Sequence, residues 1–406
     1  MEQEIQEMEA LVKQRALAIA IAPNLFVINL PAGDNPAFNI DFHQSGHNPL
    51  VYDSNVWISQ GFDGVLFKGA GRGVTRIIPQ NADETIFVRQ HNGIVAFQDL
   101  SIHYKSRFGR GKAVHMGFEN PSGPVFEKFA LHLTRCSVDE VGTLNVDNGV
   151  WGLFGYQFDG VLEDVIFNMT NSHEHGAYWH GFSKNGVSVN KLVVNGVGAE
   201  CLKFTARPHE CRWVKNALIK VTNSVFKNWA NPVTSWRGGA GFTSQGSSAN
   251  VWIENCRYYG GNTMDRAHCI MFDDSGLDFY GAVDGVPGVG PANGHLFIKN
   301  TGCALNGISD PWNNNISWIG NLNPSRPPPI ISARSLLVDN CGYYGQNTLW
   351  NVSGKNGDLV GGRGQFSNCN TPQIRQLMAN LGFRVDTETM IAGPTGLVPM
   401  SRGLTF

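Results

Sequence analysis

A short phrase returns along most of this 406-residue chain and constrains its fold more than any other feature. It reads Val161-Leu162-Glu163-Asp164-Val165-Ile166-Phe167, then Val187-Ser188-Val189-Asn190-Lys191-Leu192-Val193, then Leu218-Ile219-Lys220-Val221-Thr222-Asn223-Ser224-Val225-Phe226. Val251-Trp252-Ile253-Glu254-Asn255-Cys256, Leu296-Phe297-Ile298-Lys299-Asn300-Thr301 and Leu336-Leu337-Val338-Asp339-Asn340-Cys341 continue the series. Each is a short alternating strand, a polar Asn, Asp or Lys, and then a small or aliphatic residue. One such unit cannot bury its apolar face alone, so a repeat at this interval implies stacking into a solenoid. No sustained helical periodicity separates the phrases, which excludes helical repeats. Marker-to-marker spacings of roughly 27 to 45 residues suit a parallel β-helix whose coils carry loops of different length. A β-propeller ranks second, because its blade signature is missing.

A solenoid grows along one axis, so one elongated domain accommodates the whole length. Its 48 glycines and 16% charged residues fit many tight turns. A formal net charge of -2 supplies no basic field for nucleic acid. Cys256, Cys341 and Cys369 each follow an Asn at one point of the phrase, and Cys136 follows Arg135 there. Equivalent positions would stack these thiols as small core residues; there is no Cys-x-x-Cys pair.

At the amino end, Ala16 to Ala22 is a short apolar run, but Glu2, Glu4, Glu7 and Glu9 precede it where a secretory signal carries basic residues. The run is too short to span a bilayer. Ile5, Met8, Leu11 and Val12 form a helical stripe ending before Pro23, consistent with a capping helix or an oligomerising stem. Residues 1–22 are therefore read as a helix or stem, 23–371 as the parallel β-helix, and 372–406 as a cap helix (Pro372 to Leu381, stopped by Gly382) and tail.

In the opening coil, Gly69-Ala70-Gly71-Arg72-Gly73-Val74-Thr75 reads as a turn between two strands. A phosphate loop would need a helix to follow, and Thr75-Arg76-Ile77-Ile78 is another strand. This Gly-x-Gly-x-Gly-x-Thr phrase, followed by Asn-rich rungs to about residue 370, resembles the pectate-lyase-type right-handed β-helix superfamily. In style the chain is most similar to phage tail spikes and related polysaccharide-degrading proteins. The resemblance implies an all-β, right-handed parallel β-helix, a homotrimer in a virion, and a carbohydrate-facing function. It implies no catalytic residue by position.

Polar residues interrupt the second strand of consecutive coils: His173 to His180, Glu200 to Arg207, Ser235 to Thr243 and Asp265 to Asp274. With Leu202 and Phe204 inward, Lys203 points out; with Ile270 and Phe272 inward, Asp273 points out. Glu200 and Asp273 or Asp274, with one coil between them, are then expected at about 10 Å, at the wide end of the roughly 6.5–9.5 Å of an inverting glycosidase. A lyase reading ranks below it, with Lys203 or Arg207 as base and Arg237 or Ca²⁺ neutralising a uronate. Asp273, Asp274, Asp278 and Asp284 offer oxygens to calcium without an ordered loop signature. The structural alternative makes Glu200 an ion-pair partner of Lys203 or Arg207.

His173, His175 and His180 lack a fourth soft zinc ligand at a familiar spacing and read as hydrogen-bonded turn residues, with His175 and His180 close enough to contact substrate. Trp179, Trp236 and Trp312 are candidate sugar-stacking faces, Trp312 in a loop ending at Pro327-Pro328-Pro329. The combined expectation is a virion tail-spike-like protein that binds and cleaves a host polysaccharide, touching other virion proteins through its amino-terminal helix, with no nucleic-acid or membrane partner. A non-catalytic adhesin module and a carbohydrate epimerase are the alternatives.

Overall fold

The computed structural model describes residues 2–20, 23–43, 48–80, 84–105, 111–120, 123–124, 126–141, 151–169, 175–196, 200–205, 217–227, 239–245, 249–260, 267–273, 295–305, 335–339, 342–344 and 363–367. They are mostly β, and every strand pairing among them is parallel. One sheet holds 19 strands and another nine.

By register the larger sheet separates into two stacks. The first runs through Leu25–Asn29, Gly64–Lys68, Ile94–Gln98 and Ala130–Thr134, the opening halves of Asp159–Asn168 and Gly186–Asn195, then Leu218–Thr222, Asn250–Glu254, His295–Lys299, Ser335–Asp339 and Arg363–Ser367. The second begins at Gly33–Pro36 and includes Thr75–Ile78, Ser101–Tyr104, Ser137–Glu140 and the closing halves of the two ten-residue strands. The smaller sheet is the third stack: Phe38–Ile40, Glu84–Val88, Lys112–Met116, Trp151–Tyr156, Ala177–His180, Leu202–Thr205, Gly239–Gln245 and Ala267–Asp273, with Leu50–Tyr52 at its edge. Residues 27 to 45 apart in the chain thereby become vertical neighbours.

The polar marker of the repeated phrase is the corner between the first and second stacks. Asp99, Arg135, Asp164, Lys191, Asn223, Asn255 and Asn300 occupy it, all with φ between 49° and 57°. This left-handed conformation costs most side chains about 1–2 kcal/mol and suits Asn and Asp best. The corner N–H groups donate to the next coil, as in Asn223 N to Glu254 O (3.0 Å) and Asn255 N to Lys299 O (3.2 Å). Their amides continue the ladder, Asn255 donating to Asn223 (3.3 Å) and Asn223 to Asn190 (2.8 Å). In the opening coil Gly69 takes this corner, since a Cβ there would lie 2.5 Å from the Asp99 carbonyl oxygen.

The residue after each corner faces inward: Leu100, Cys136, Val165, Leu192, Ser224, Cys256 and Thr301 are all fully buried. Cys136 and Cys256 are thus free core thiols, pushed up to about 12 by burial. Cys341 and Cys369 lie outside the described residues, as do the segment 372–406 and its expected cap helix.

Inside the stacks aromatic rings pile coil on coil. Phe158, Trp179 and Phe204 stack at 5.4 and 5.0 Å, and Phe67 lies on Phe97 at 5.3 Å. Gly160 makes room for this column, because a Cβ there would come within 3.2 Å of the Trp179 ring. Burying each large ring contributes roughly 1.5–3 kcal/mol. The first coil is closed by a segment with no strong sequence pattern. Its short helix Asn55–Ile58 buries Trp57, while Tyr52 packs on Phe38 and Phe62 on Phe26.

The amino-terminal helix spans Glu2–Ala20. Its expected stripe lies along the outside of the first stack, with Met8 fully buried among Leu218, Trp252, Phe297 and Leu337 and flanked by Ile5, Leu11 and Val12. Glu7 to His295 (3.6 Å), Glu9 to Lys299 (3.5 Å) and Arg15 to Asn185 (2.5 Å) tie it down. No helix among the described residues is long and apolar enough to cross a membrane.

Candidate functional site

Alternation along the third stack sends Leu202 and Phe204 into the core and leaves Lys203 outside. Tyr178 is the register partner of Lys203, and Trp179 of Phe204. That parity decides two expected roles. Trp179 is fully buried between Phe158 and Phe204 and offers no face to a sugar. Tyr178 takes the outward position.

Glu200 precedes its strand and is 2% exposed. Its carboxylate meets His175 Nδ1 at 2.6 Å and Lys203 Nζ at 3.2 Å, and the Lys203 ammonium sits 5.1 Å from the centre of the Tyr178 ring. Burial opposes ionisation of Glu200, but Lys203 and His175 outweigh it and hold the carboxyl well below its ordinary range. A general acid needs the opposite shift. Glu200 is therefore the ion-pair partner of Lys203, as the structural alternative had it.

The expected spacing to Asp273 also fails. Asp273 is in register with Gln245 and, through it, with Thr205, five positions beyond Glu200. Two strand steps and five residues of rise separate the two backbones by roughly 15–20 Å, too far for an inverting pair. His180 is 3% exposed, 3.3 Å from the Thr205 hydroxyl and stacked on Tyr156 at 4.7 Å. Arg207, Trp236, Arg237, Asp274 and Trp312 lie outside the described residues, as do Asp278 and Asp284. Among the described residues no group of three His, Cys, Asp or Glu side chains is placed to hold a metal ion.

The same face carries a second cluster that the sequence reading passed over. Glu84 accepts from Lys112 Nζ at 3.2 Å and lies 3.3 Å from His115 Nδ1. Burial resists the charge on Glu84, yet the His115 contact and the Lys112 ammonium hold its carboxyl down at about 2. Lys112 lies 5.3 Å from the Trp151 ring and 5.4 Å from Phe154.

Between the two clusters the outward rings form a continuous ridge. Phe118 packs on Phe87 (4.7 Å), Phe87 on His115 (4.7 Å), His115 on Phe154 (5.2 Å), Phe154 on Trp151 (5.2 Å) and Tyr178 (5.7 Å). Phe118 is 39% exposed, and His115, Trp151, Phe154 and Tyr156 are half-buried. The Trp151 indole N–H has no hydrogen-bond partner. The signal for this ridge was strand parity in Lys112–Met116 and Trp151–Tyr156, coils whose phrases are less regular than those that follow.

A separate cavity of about 840 Å³ lies on the first stack, beside Val12 and Arg15 of the helix, with Ile94, His132, Val161 and Leu218 among its lining. It forms where the floor beneath the helix changes from Leu218 and Trp252 to Ala130, Gly186 and Ser188. Burial pushes His132 down to about 4, so its imidazole is neutral near pH 7. Comparison with protein-family models, curated proteins and solved structures found no match.

Proposed function

We propose that this chain is a right-handed parallel β-helix of the tail-spike kind, which recognises a host surface polysaccharide along the outward face of its third stack. The observation that carries the reading is the ridge of half-exposed rings from Phe118 through Phe154 to Tyr156, set on rigid strands. Flat aromatic faces suit the apolar faces of sugar rings, and Trp151, Phe154 and Tyr156 present theirs along one strand. The resemblance of the glycine phrase and Asn-rich corners to the pectate-lyase-type superfamily supports the same reading, as does the three-stack register.

Recognition is favoured over cleavage. Glu84 and Glu200 on this face are buried in ion pairs, which suits a fixed scaffold and not a proton donor. A homotrimer in a virion particle fits a long prism with a binding flank, and the exposed side of the helix, including Gln6, Lys13 and Gln14, is the surface available to other particle proteins. The test is incubation with purified host capsule or lipopolysaccharide, with retention and product size both measured. Binding without shortening, lost in Trp151→Ala, is the expected result. Shortened product that disappears in a folded Glu200→Gln variant restores the enzyme; no retention at all removes the reading.

A further inference from the structure

The charges around the aromatic ridge narrow the ligand it takes, and this step rests on the polysaccharide reading above. Among the described residues Lys112 and Lys203 approach the ridge, and each is already neutralised. Lys112 sits 3.2 Å from Glu84, and Lys203 sits 3.2 Å from Glu200. All four side chains are nearly buried, between 3% and 12% exposed. The neighbouring imidazoles face the same two carboxylates, His115 at 3.3 Å and His175 at 2.6 Å.

An anionic sugar entering here would meet each ammonium with its counter-charge in place. It would also bring its own charge towards Glu84 or Glu200, and like charges in a partly desolvated site repel strongly. What remains available is apolar ring surface. Trp151, Phe154 and Tyr156 are each half-buried and present part of their rings to solvent. The apolar face of a neutral sugar ring covers that surface without adding charge.

We infer that the third-stack face is selective for a neutral pyranose polymer whose rings stack on Trp151, Phe154 and Tyr156, and that the paired Lys112 and Lys203 act by holding the rings in place. The ion pairs are positioning devices: Lys112 lies against the Trp151 and Phe154 rings and Lys203 against the Tyr178 ring.

The experiment measures binding of the full chain by calorimetry to purified bacterial surface polysaccharides sorted into neutral and acidic sets. Salt is raised from about 0.01 M to about 1 M, which shortens the screening length from about 30 Å to about 3 Å. Expected is retention of one or more neutral polymers, a Kd that changes less than about threefold across the salt range, at least tenfold weaker binding in Trp151→Ala, and near-normal binding in Trp151→Phe. Binding confined to acidic polymers, with loss at high salt, overturns the neutral selectivity and leaves polysaccharide recognition standing. Retention of neither set overturns both, and binding unchanged in Trp151→Ala overturns this inference and the ridge as the site, leaving polysaccharide recognition by the chain standing.

Discussion

Replacing Glu84 by Gln tests whether the buried clusters on the third stack are structural ion pairs. The ordinary glutamate value is 4.5, and in the folded chain Lys112 and His115 hold Glu84 at about 2 against the cost of burial. A group whose folded pKa is depressed stabilises the fold fully above its unfolded value, and that contribution is lost as pH falls towards the folded one. At 1.36 kcal/mol per pKa unit, the lowering is worth about 3 kcal/mol at pH 7. Gln keeps the shape and one acceptor but no charge, so Lys112 is left buried beside Trp151 and Phe154 without its counter-ion. Urea unfolding of both proteins is the assay. The variant is expected to be less stable by about 3 kcal/mol at pH 7, with the gap narrowing from about pH 4.5 downward and nearly closed at pH 2. A gap independent of pH, or below about 1 kcal/mol at pH 7, refutes the ion-pair assignment.

Gly160→Val drives a side chain into the Trp179 ring and should cost about 1–3 kcal/mol in urea unfolding; a neutral result would mean that the inner column is loosely packed. Lys191 holds a left-handed φ of 53° on an exposed corner, so Lys191→Asn should raise stability by about 0.5–1 kcal/mol, and a loss would contradict the corner geometry. Met8→Ala should weaken docking of the helix by about 2–3 kcal/mol, read as faster amide exchange across 2–20 while the strands keep their protection. Exchange unchanged in the helix would show that Met8 does not anchor it. Glu200→Gln should leave Lys203 unpaired and destabilise its coil by about 3–5 kcal/mol, measured by urea unfolding at pH 7; full stability would exclude the buried pair.

The parallel stacking of strands was legible because one backbone requirement repeats. A left-handed corner needs Asn, Asp or a tolerated Lys, and the next residue must fit the core, so Asn223-Ser224 and Asn255-Cys256 carry the same physical instruction. Strand parity was legible too, and it correctly puts Lys203 outside. The site was harder to read, because parity in one coil does not fix which residue of the next coil lies above it. Unequal connections between stacks shift the register, which is why Asp273 falls beside Thr205 and not Glu200, and why Trp179 falls inward beside Phe204. Glu84, Lys112 and Trp151 went unread for a related reason: they touch only after three coils are superposed. Nor could the helical stripe of Met8 name its partner, since the apolar strip it covers is assembled from Leu218, Trp252, Phe297 and Leu337 of four strands.

The stacking register underlies every contact above, and one distance tests it. Lys68 and Glu254 lie in the same row of the first stack, linked through Gln98, Thr134, Glu163, Asn190 and Thr222. Spin labels introduced at positions 68 and 254 through a non-natural amino acid, read by pulsed dipolar spectroscopy, should give one narrow distribution centred near 29 Å, six steps of about 4.8 Å. A narrow peak below about 20 Å or above about 40 Å, or a broad spread across both, contradicts the stacked register and with it the aromatic ridge on the third stack.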